Sequence, residues 1–385
     1  MGTAPKEATE SGPPFARADL EHMQAALTLA RRGLGRVAPN PAVGCVLVRD
    51  GRVVGRGWTQ PGGRPHAETM ALAAAGAAAP GAMRGATAYV TLEPCAHHGQ
   101  TPPCCDALIE AGIARCVVAI EDPDPRVAGR GLAALREATV AVTLGPLAEQ
   151  AAVLNAGFLR LLDEGRPLVT LKLATSLDGR IATRGGESRW ITGPLARARG
   201  HLLRAQHDAV LVGSGTAVAD NPRLDVRLPG LEDRAPLRVV LDGHLRLPLT
   251  HDLVARAGAQ PTCLITLHDN DQTRLAAYRD LGLEVVEVAP DEDGRPDLIE
   301  ALQALGARGL TRVLVEGGGH VAAGLLRAGL VDRLVWFRAP CALGDDGIAG
   351  VGGLGLERLA DAPGFRRLSV ITAGDDLVET YQRLP

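Results

Sequence analysis

Short apolar runs of strand length alternate with stretches of helical apolar spacing along almost the whole chain. That alternation admits few folds, chiefly a mixed or mainly parallel sheet covered by helices. In the first half, Leu20, Met23, Ala26, Leu27 and Ala30 recur at helical spacing between Ala18 and Arg32, and Gly33 and Gly35 stop the helix. A buried strand over Val43–Val48 runs into Asp50-Gly51, a hairpin signal, and a second strand over Arg52–Trp58. The pattern then predicts helices at about His66–Ala79, Cys104–Ala111, Gly131–Ala138 and Pro146–Leu162, with strands at Ala88–Leu92, Cys116–Ile120 and Val140–Leu144.

Gly165-Arg166-Pro167 punctuates the chain, and a second series follows. Its strand candidates are Leu168–Leu173, Ala209–Val212, Arg238–Leu241, Thr262–Thr266, Glu284–Val288, Arg312–Val315 and Leu334–Phe337. Its helix candidates are Pro194–Gln206, Gln272–Leu281, Asp297–Leu305 and His320–Ala328. The predicted organisation is a disordered tail over 1–16, a first α/β domain over 17–164 and a second over 165–385. At roughly 150 residues per domain, 385 residues fit two domains of ordinary size.

Composition narrows the function. Forty-one basic and 44 acidic residues leave a net charge of −3, which argues against a global grip on nucleic acid or acidic lipid. Aromatics are only 3%, too few for a platform that stacks single-stranded bases. No apolar run is long enough to span a bilayer, and the N-terminal stretch has no signal-peptide apolar region. Seven cysteines without an even framework point to a reducing compartment, the cytoplasm.

Four of those cysteines, Cys95, Cys104, Cys105 and Cys116, crowd into one short stretch. His66-Ala67-Glu68, followed by Pro94-Cys95 and Pro103-Cys104, supplies one imidazole and two thiolates for a tetrahedral zinc with an open fourth position. Such a metal lowers the pKa of a bound water. Glu68, two residues past the histidine, is placed to take the water's proton and return it to a leaving amine. The pattern is that of zinc deaminases, except that eight residues rather than two separate the cysteines. His97 or His98 could replace one ligand, line the pocket or be solvated. Cys105 reads as a packed thiol, and Cys45, Cys116, Cys263 and Cys341 as core. Asn40, between two prolines, either reads a base edge or simply forms a turn.

In the second half there is no dinucleotide fingerprint of the usual G-x-G-x-x-G kind. Instead, Val313-Leu314-Val315 runs through Glu316-Gly317-Gly318-Gly319-His320 into a helix, a turn suited to phosphate or to tight packing. Gly213-Ser214-Gly215-Thr216 is a second such turn, and Gly186–Trp190 is a polar loop whose indole can flank a planar ring. Arg204 and Arg227 are either phosphate-gripping forks or solvated charges. These residues indicate a phosphate-bearing ligand; they do not by themselves indicate hydride transfer.

The chain resembles the bifunctional riboflavin-biosynthesis deaminase/reductases of bacteria. The likeness rests on P-N-P-A-V-G-C-V (39–46), P-H-A-E (65–68), T-L-E-P-C-A-H-H-G-Q-T-P-P-C-C-D-A-L-I (91–109) and D-P-D-P-R-V-A-G-R-G (122–131). It continues in L-K-L-A-T-S-L-D-G-R-I-A (171–182), G-E-S-R-W-I-T (186–192), L-L-R-A-Q (202–206), V-A-D-N-P-R-L-D-V-R (218–227) and V-E-G-G (315–318). The resemblance implies a cytidine-deaminase-like three-layer α/β/α domain followed by an α/β domain similar to dihydrofolate reductase. It implies zinc-dependent deamination of 2,5-diamino-6-(5-phosphoribosylamino)pyrimidin-4-one, then reduction of the ribosyl group to ribityl by NADPH.

Carried over by motif, His66, Cys95 and Cys104 would bind Zn2+ and Glu68 would shuttle protons. Ala174, Trp190, Thr216 and Asp220 would line the NADPH site, with Gly318, Gly319, His320, Val321, Ala322, Ala323 and Gly324 as a turn at its phosphates. Asn40 would contact the deaminase substrate, and Ser188, Arg204, Leu224, Arg227 and Glu316 the reductase substrate. The expected partners are that phosphoribosylaminopyrimidine and further copies of the chain in a dimer or tetramer, with no nucleic acid and no membrane. Two positions depart from relatives: Gly243 stands where a small hydroxyl residue can occur, and Asn221 where some carry an acid. Two other readings compete. One is a deaminase of another base with a nucleotide-binding, non-reducing second domain, and the other is a zinc-stabilised sensor that leaves Glu68 without a role.

Overall fold

The computed structural model describes residues 15–97, 102–124 and 127–384. The tail expected over 1–16 lies almost wholly outside the described residues, and so does His98. The chain forms two compact units, Met1–Gly33 with Pro41–Asn155 and Leu34–Asn40 with Ala156–Pro385.

The first unit runs α1 (Arg17–Ala30), β1 (Gly44–Arg49), β2 (Arg52–Trp58), α2 (Ala67–Ala78), β3 (Thr87–Val90), α3 (Cys104–Glu110), β4 (Arg115–Val118), α4 (Arg130–Glu137), β5 (Ala141–Leu144) and α5 (Ala148–Leu154). Its sheet has the order β2-β1-β3-β4-β5. The pairs β1–β2 and β1–β3 are antiparallel, and β3–β4 and β4–β5 are parallel. Asp50 and Gly51 both have positive φ, 50° and 72°, the geometry of a tight two-residue hairpin. A Cβ on Gly44 would lie 1.9 Å from the Ala26 carbonyl of α1. One on Gly57, which pairs with Cys45, would lie 2.1 Å from the Ala67 carbonyl of α2. Successive strand residues face opposite ways, so the two helices cover opposite faces of the sheet. Ala67, Ala71 and Ala75, all fully buried at i, i+4 and i+8, let α2 sit close on that surface.

The second unit begins with α6 (Ala156–Glu164), β6 (Leu168–Thr175), β7 (Arg180–Ala182), α7 (Pro194–Ala205), β8 (Ala209–Gly213), α8 (Ser214–Asp220), β9 (Leu237–Leu241), α9 (Asp252–Ala255) and β10 (Thr262–Leu267). It continues with α10 (Gln272–Asp280), β11 (Glu284–Val288), α11 (Leu298–Ala307), β12 (Arg312–Glu316), α12 (Gly319–Arg327), β13 (Arg333–Arg338), β14 (Ile348–Ala349), β15 (Phe365–Ala373) and β16 (Asp376–Arg383). The nine-stranded sheet has the order β11-β10-β9-β8-β12-β6-β13-β16-β15. Strands β11 through β13 are mutually parallel. The C-terminal pair β16–β15 is antiparallel. Apolar clusters on both faces bury the central strands, which explains their continuous apolar runs.

Three expectations need correction, and one hairpin lies outside the sequence reading. The helix expected over Pro146–Leu162 is two helices broken at Asn155, whose buried side chain accepts the Ala42 N–H at 2.9 Å. The second of these, α6, groups with the second unit, where Gly157 lets it approach the Thr311 carbonyl; a Cβ there would lie 2.5 Å away. The β15–β16 hairpin was not foreseen, because Arg366–Thr372 are consecutively exposed and show no two-residue alternation. Cys341 is half-buried rather than core.

Candidate active sites

In the first unit, β3 and two helix starts bring the donor side chains together. His66 is the residue before α2, Glu68 lies in the first turn of α2, Cys104 opens α3, and Cys95 follows β3. His66 Nδ1 is 3.3 Å from Cys104 Sγ and 3.7 Å from Cys95 Sγ, and the Cys104 N–H donates to Cys95 Sγ at 3.3 Å. The three ligand atoms lie within 4.8 Å of one another, the single such cluster among the described residues. Metal–ligand bonds of about 2.0 Å to nitrogen and 2.3 Å to sulfur at tetrahedral angles require ligand–ligand edges of roughly 3.5–3.8 Å. One nitrogen and two sulfurs at the observed spacing therefore fit zinc. His97 is exposed and outside this cluster.

The electrostatics suit a cation. Hydrogen bonds from Cys104 and His66 bring the Cys95 thiol down to about 4 against burial, while the Cys95 sulfur and then burial push Cys104 up. Glu68 is 3% exposed, and burial, then the Cys95 sulfur, pushes its carboxyl up to about 7. Cys105 is a buried thiol raised to about 12, and Cys45 and Cys116 are fully buried.

In the second unit, β12 inserts between β6 and β8, so the chain order reverses there. In open α/β sheets the crevice beyond the C-terminal strand ends at such a reversal is where ligands bind. Gly317 and Gly318 follow β12 at φ 90° and 82°, and a Cβ on Gly317 would lie 3.3 Å from Thr216. Thr216 belongs to α8, a helix where the sequence suggested only a turn. The glycine turn itself is shorter than expected, because α12 begins at Gly319. Gly319, His320 and Val321 form the first helical turn, whose N–H groups have no acceptor within the helix. Ala322 donates to the Gly318 carbonyl at 3.1 Å, Ala322 and Ala323 are buried, and Gly324 packs by Leu298. These last three residues lie within the helix rather than in a turn.

Ala174 is half-buried near the end of β6, and Ser188 is half-buried in the loop before Trp190. Trp190 is 66% exposed, with the Arg197 guanidinium 4.6 Å from its ring centroid. Asp220 is exposed at the end of α8, and its carbonyl accepts from Arg189 at 3.0 Å.

Glu316 ends β12 and is 8% exposed. Arg204 reaches it through Nε at 2.5 Å and Nη2 at 3.0 Å, and Lys172 Nζ at 3.3 Å. Burial opposes the charge, but Arg204 and Lys172 overcome it and hold Glu316 far below the usual carboxylate range. Arg204 Nη1 also donates to the Asp225 carbonyl at 2.9 Å. Its fork is thus engaged within the protein, whereas Arg227 is exposed with its Nε 3.4 Å from His201 Nε2. Leu224 is buried at φ 53° and turns its side chain into the core.

Sequence reasoning missed Lys172 and His201. Lys172 carried a signal, being one of only 2 lysines in an arginine-rich chain. A Cβ on Gly243 would lie 2.9 Å from Pro296, so glycine fits there and a side-chain contact does not. Asn221 accepts the Asp252 N–H at 2.8 Å at the start of α9. Asn40 is half-buried and belongs to the segment that packs with the second unit.

Residues 167–378 match the family model of the RibD C-terminal domain, and residues 16–120 match the cytidine and deoxycytidylate deaminase zinc-binding region. The riboflavin biosynthesis protein RibD of Escherichia coli K12 is 44% identical over 370 residues, covering 93% of this chain and 98% of its own. That of Haemophilus influenzae is 42% identical, covering 95% and 98%. The structure of Acinetobacter baumannii RibD superposes with a TM-score of 0.84 at 38% identity over 96% of this chain and 99% of its own. A Thermotoga maritima diaminohydroxyphosphoribosylaminopyrimidine deaminase/5-amino-6-(5-phosphoribosylamino)uracil reductase gives 0.83 at 34% identity over 95% and 99%. A zinc-binding deaminase unit followed by a reductase unit, matched over nearly the full length, places the chain in the RibD family of bifunctional riboflavin-biosynthesis enzymes.

Proposed function

We propose that the first unit hydrolytically deaminates 2,5-diamino-6-(5-phosphoribosylamino)pyrimidin-4-one and that the second reduces the ribosyl group of the product to ribityl with NADPH. The convergence of His66, Cys95 and Cys104 beside the buried Glu68 carries this reading. Zinc held by those three residues would supply Lewis-acid activation of water. Glu68, buried beside the cluster, would take the proton from the attacking water and hand it to the departing ammonia. Its place in the first turn of α2, two residues after His66, would set it beside a metal held by the three donors.

The reductase residues fit a dinucleotide. Gly317 and Gly318 let a pyrophosphate approach the main chain, and the first turn of α12 offers it free N–H groups. Thr216 lies beside this turn, Asp220 ends the same helix, and the exposed Trp190 face suits a planar ring. Glu316, kept ionised by Arg204 and Lys172, offers an acceptor to ribosyl hydroxyls. Arg227, exposed beside His201 and Asp225, offers a guanidinium to the substrate phosphate. All seven cysteines are free, which suits the cytoplasm. The exposed stretch Arg366–Thr372 lies on the edge strand β15 and supports a dimer or tetramer, which light scattering would detect.

One coupled assay tests the reading. Zinc-loaded protein is given the diaminopyrimidinone, first without and then with NADPH, and products are weighed by mass spectrometry. A deaminated product alone, then its ribityl form, is expected. Absence of the first product refutes the deaminase assignment, and absence of the second refutes the reductase assignment. Glu68→Gln retains zinc and loses about 10²- to 10⁴-fold in deamination.

A further inference from the structure

The residue two before Cys95 is a carboxylate with an unusual set of partners. Glu93 is 3% exposed and follows β3. Its Oε1 accepts the N–H of Gly131 at 2.8 Å and of Leu132 at 3.1 Å. Its Oε2 accepts the N–H of Asp122 at 3.1 Å and of Gly129 at 3.0 Å. Gly131 and Leu132 are the second and third residues of α4, so Glu93 caps that helix from a distant part of the chain. Its own N–H donates to the Ile120 carbonyl at 3.0 Å.

The same short stretch is pinned again at its other end. Cys95 accepts the Cys104 N–H at its sulfur and the Cys105 N–H at its carbonyl, at 3.3 and 3.2 Å. Between the two anchors, the Pro94 carbonyl presses on Gly131, where a Cβ would lie 2.0 Å from it. Glu93-Pro94-Cys95 is therefore clamped between the start of α4 and the start of α3. We propose that Glu93 is a positioning residue of the metal centre, whose carboxylate sets the place of Cys95 relative to His66 and Cys104. This rests on the zinc reading of that cluster.

A carboxylate is specifically required. Three buried N–H groups and the half-buried one of Gly129 converge on two oxygens, and only an ionised carboxylate accepts from all of them. Glutamine keeps the size but turns an NH2 toward two of the donors and leaves them unsatisfied.

The test compares the full-length wild type with Glu93→Gln, Glu93→Asp and Leu135→Ala, the last removing a fully buried α4 side chain away from the carboxylate. Zinc affinity is measured by chelator competition, and ligand geometry by the visible absorption of the Co2+-substituted protein. Supporting outcomes are a roughly 10- to 100-fold loss of zinc affinity in Glu93→Gln with a changed Co2+ spectrum, and a smaller loss in Glu93→Asp. Leu135→Ala lowers the melting temperature yet keeps wild-type affinity and spectrum. Equal affinity and spectrum in wild type and Glu93→Gln would falsify the proposal, as would a Leu135→Ala loss matching that of Glu93→Gln. Loss of the folded first unit in both Glu93 variants, with or without zinc, also overturns it. A wild type that takes up no zinc removes the metal reading and this proposal together.

Discussion

Glu316→Gln is the sharpest perturbation of the reductase unit, because it removes a charge and almost no volume. The carboxylate is shared by Arg204 and Lys172 at 2.5 and 3.3 Å, with side-chain exposures of 10% for Glu316, 15% for Arg204 and 20% for Lys172. Water therefore screens the group little, and the substitution leaves two cations facing a neutral amide. Breaking a buried pair by removing one partner costs about 3–5 kcal/mol. Arg204 retains its bond to the Asp225 carbonyl, which favours the lower end, about 3 kcal/mol. At about 2–4 °C per kcal/mol for a unit of this size, the transition falls by about 6–12 °C in calorimetry of the full-length protein.

The pH dependence gives a second reading. Glu316 is held below its unfolded value, so its stabilisation is complete above about pH 4.5 and is lost as pH falls toward the folded pKa. The gap between the two proteins should be constant from pH 8 to 6 and narrow as pH falls below about 4.5, because the glutamine variant has no carboxylate to protonate. A shift under 2 °C at pH 7, or a gap that does not narrow in acid, refutes the argument.

Three further outcomes are expected. His207 is buried, with Nδ1 2.7 Å from the Leu203 carbonyl and Nε2 2.9 Å from Thr170 Oγ1, and burial lowers it to about 3. The unfolded chain takes that proton near pH 6.5, so stability falls between pH 6.5 and 3, and urea midpoints of His207→Gln should lack that component of the slope. Gly44→Ala places a Cβ 1.9 Å from the Ala26 carbonyl and should destabilise the first unit by at least about 1–3 kcal/mol in urea unfolding. Cys104→Ser leaves His66 and Cys95 as the remaining donors of the cluster. It should abolish stoichiometric zinc by elemental analysis while NADPH-dependent turnover persists.

Legibility followed how local each determinant is. The Val43–Trp58 hairpin was readable because Asp50-Gly51 encodes its own turn. Strand β11 emerged with the expected bounds, Glu284–Val288, because its apolar run is delimited by Gly282 and Pro290. The break at Asn155 was invisible, since the apolar pattern runs through it and the cause is a hydrogen bond to Ala42 far away in sequence. Strand β15 was invisible because its exposure does not alternate. In the sites, His66, Cys95 and Cys104 could be read because zinc demands those residue types. The rarity of lysine marked Lys172, but its partner and the inward-facing fork of Arg204 could not be read, because both are defined by Glu316, which tertiary structure brings to them.

The seven residues Leu34–Asn40 group with the second unit although first-unit sequence flanks them on both sides. Gly35 lies against the Ala205 carbonyl, where a Cβ would be 2.6 Å away, and Pro39 lies against Gly309. The polypeptide therefore passes between its units three times, after Gly33, after Asn40 and after Asn155. No single cut separates them cleanly: severing the chain at Asn155 yields a C-terminal fragment without one of its own packing segments and an N-terminal fragment carrying a stranded loop. Whole-unit swaps with relatives should accordingly exchange two stretches of sequence, not one.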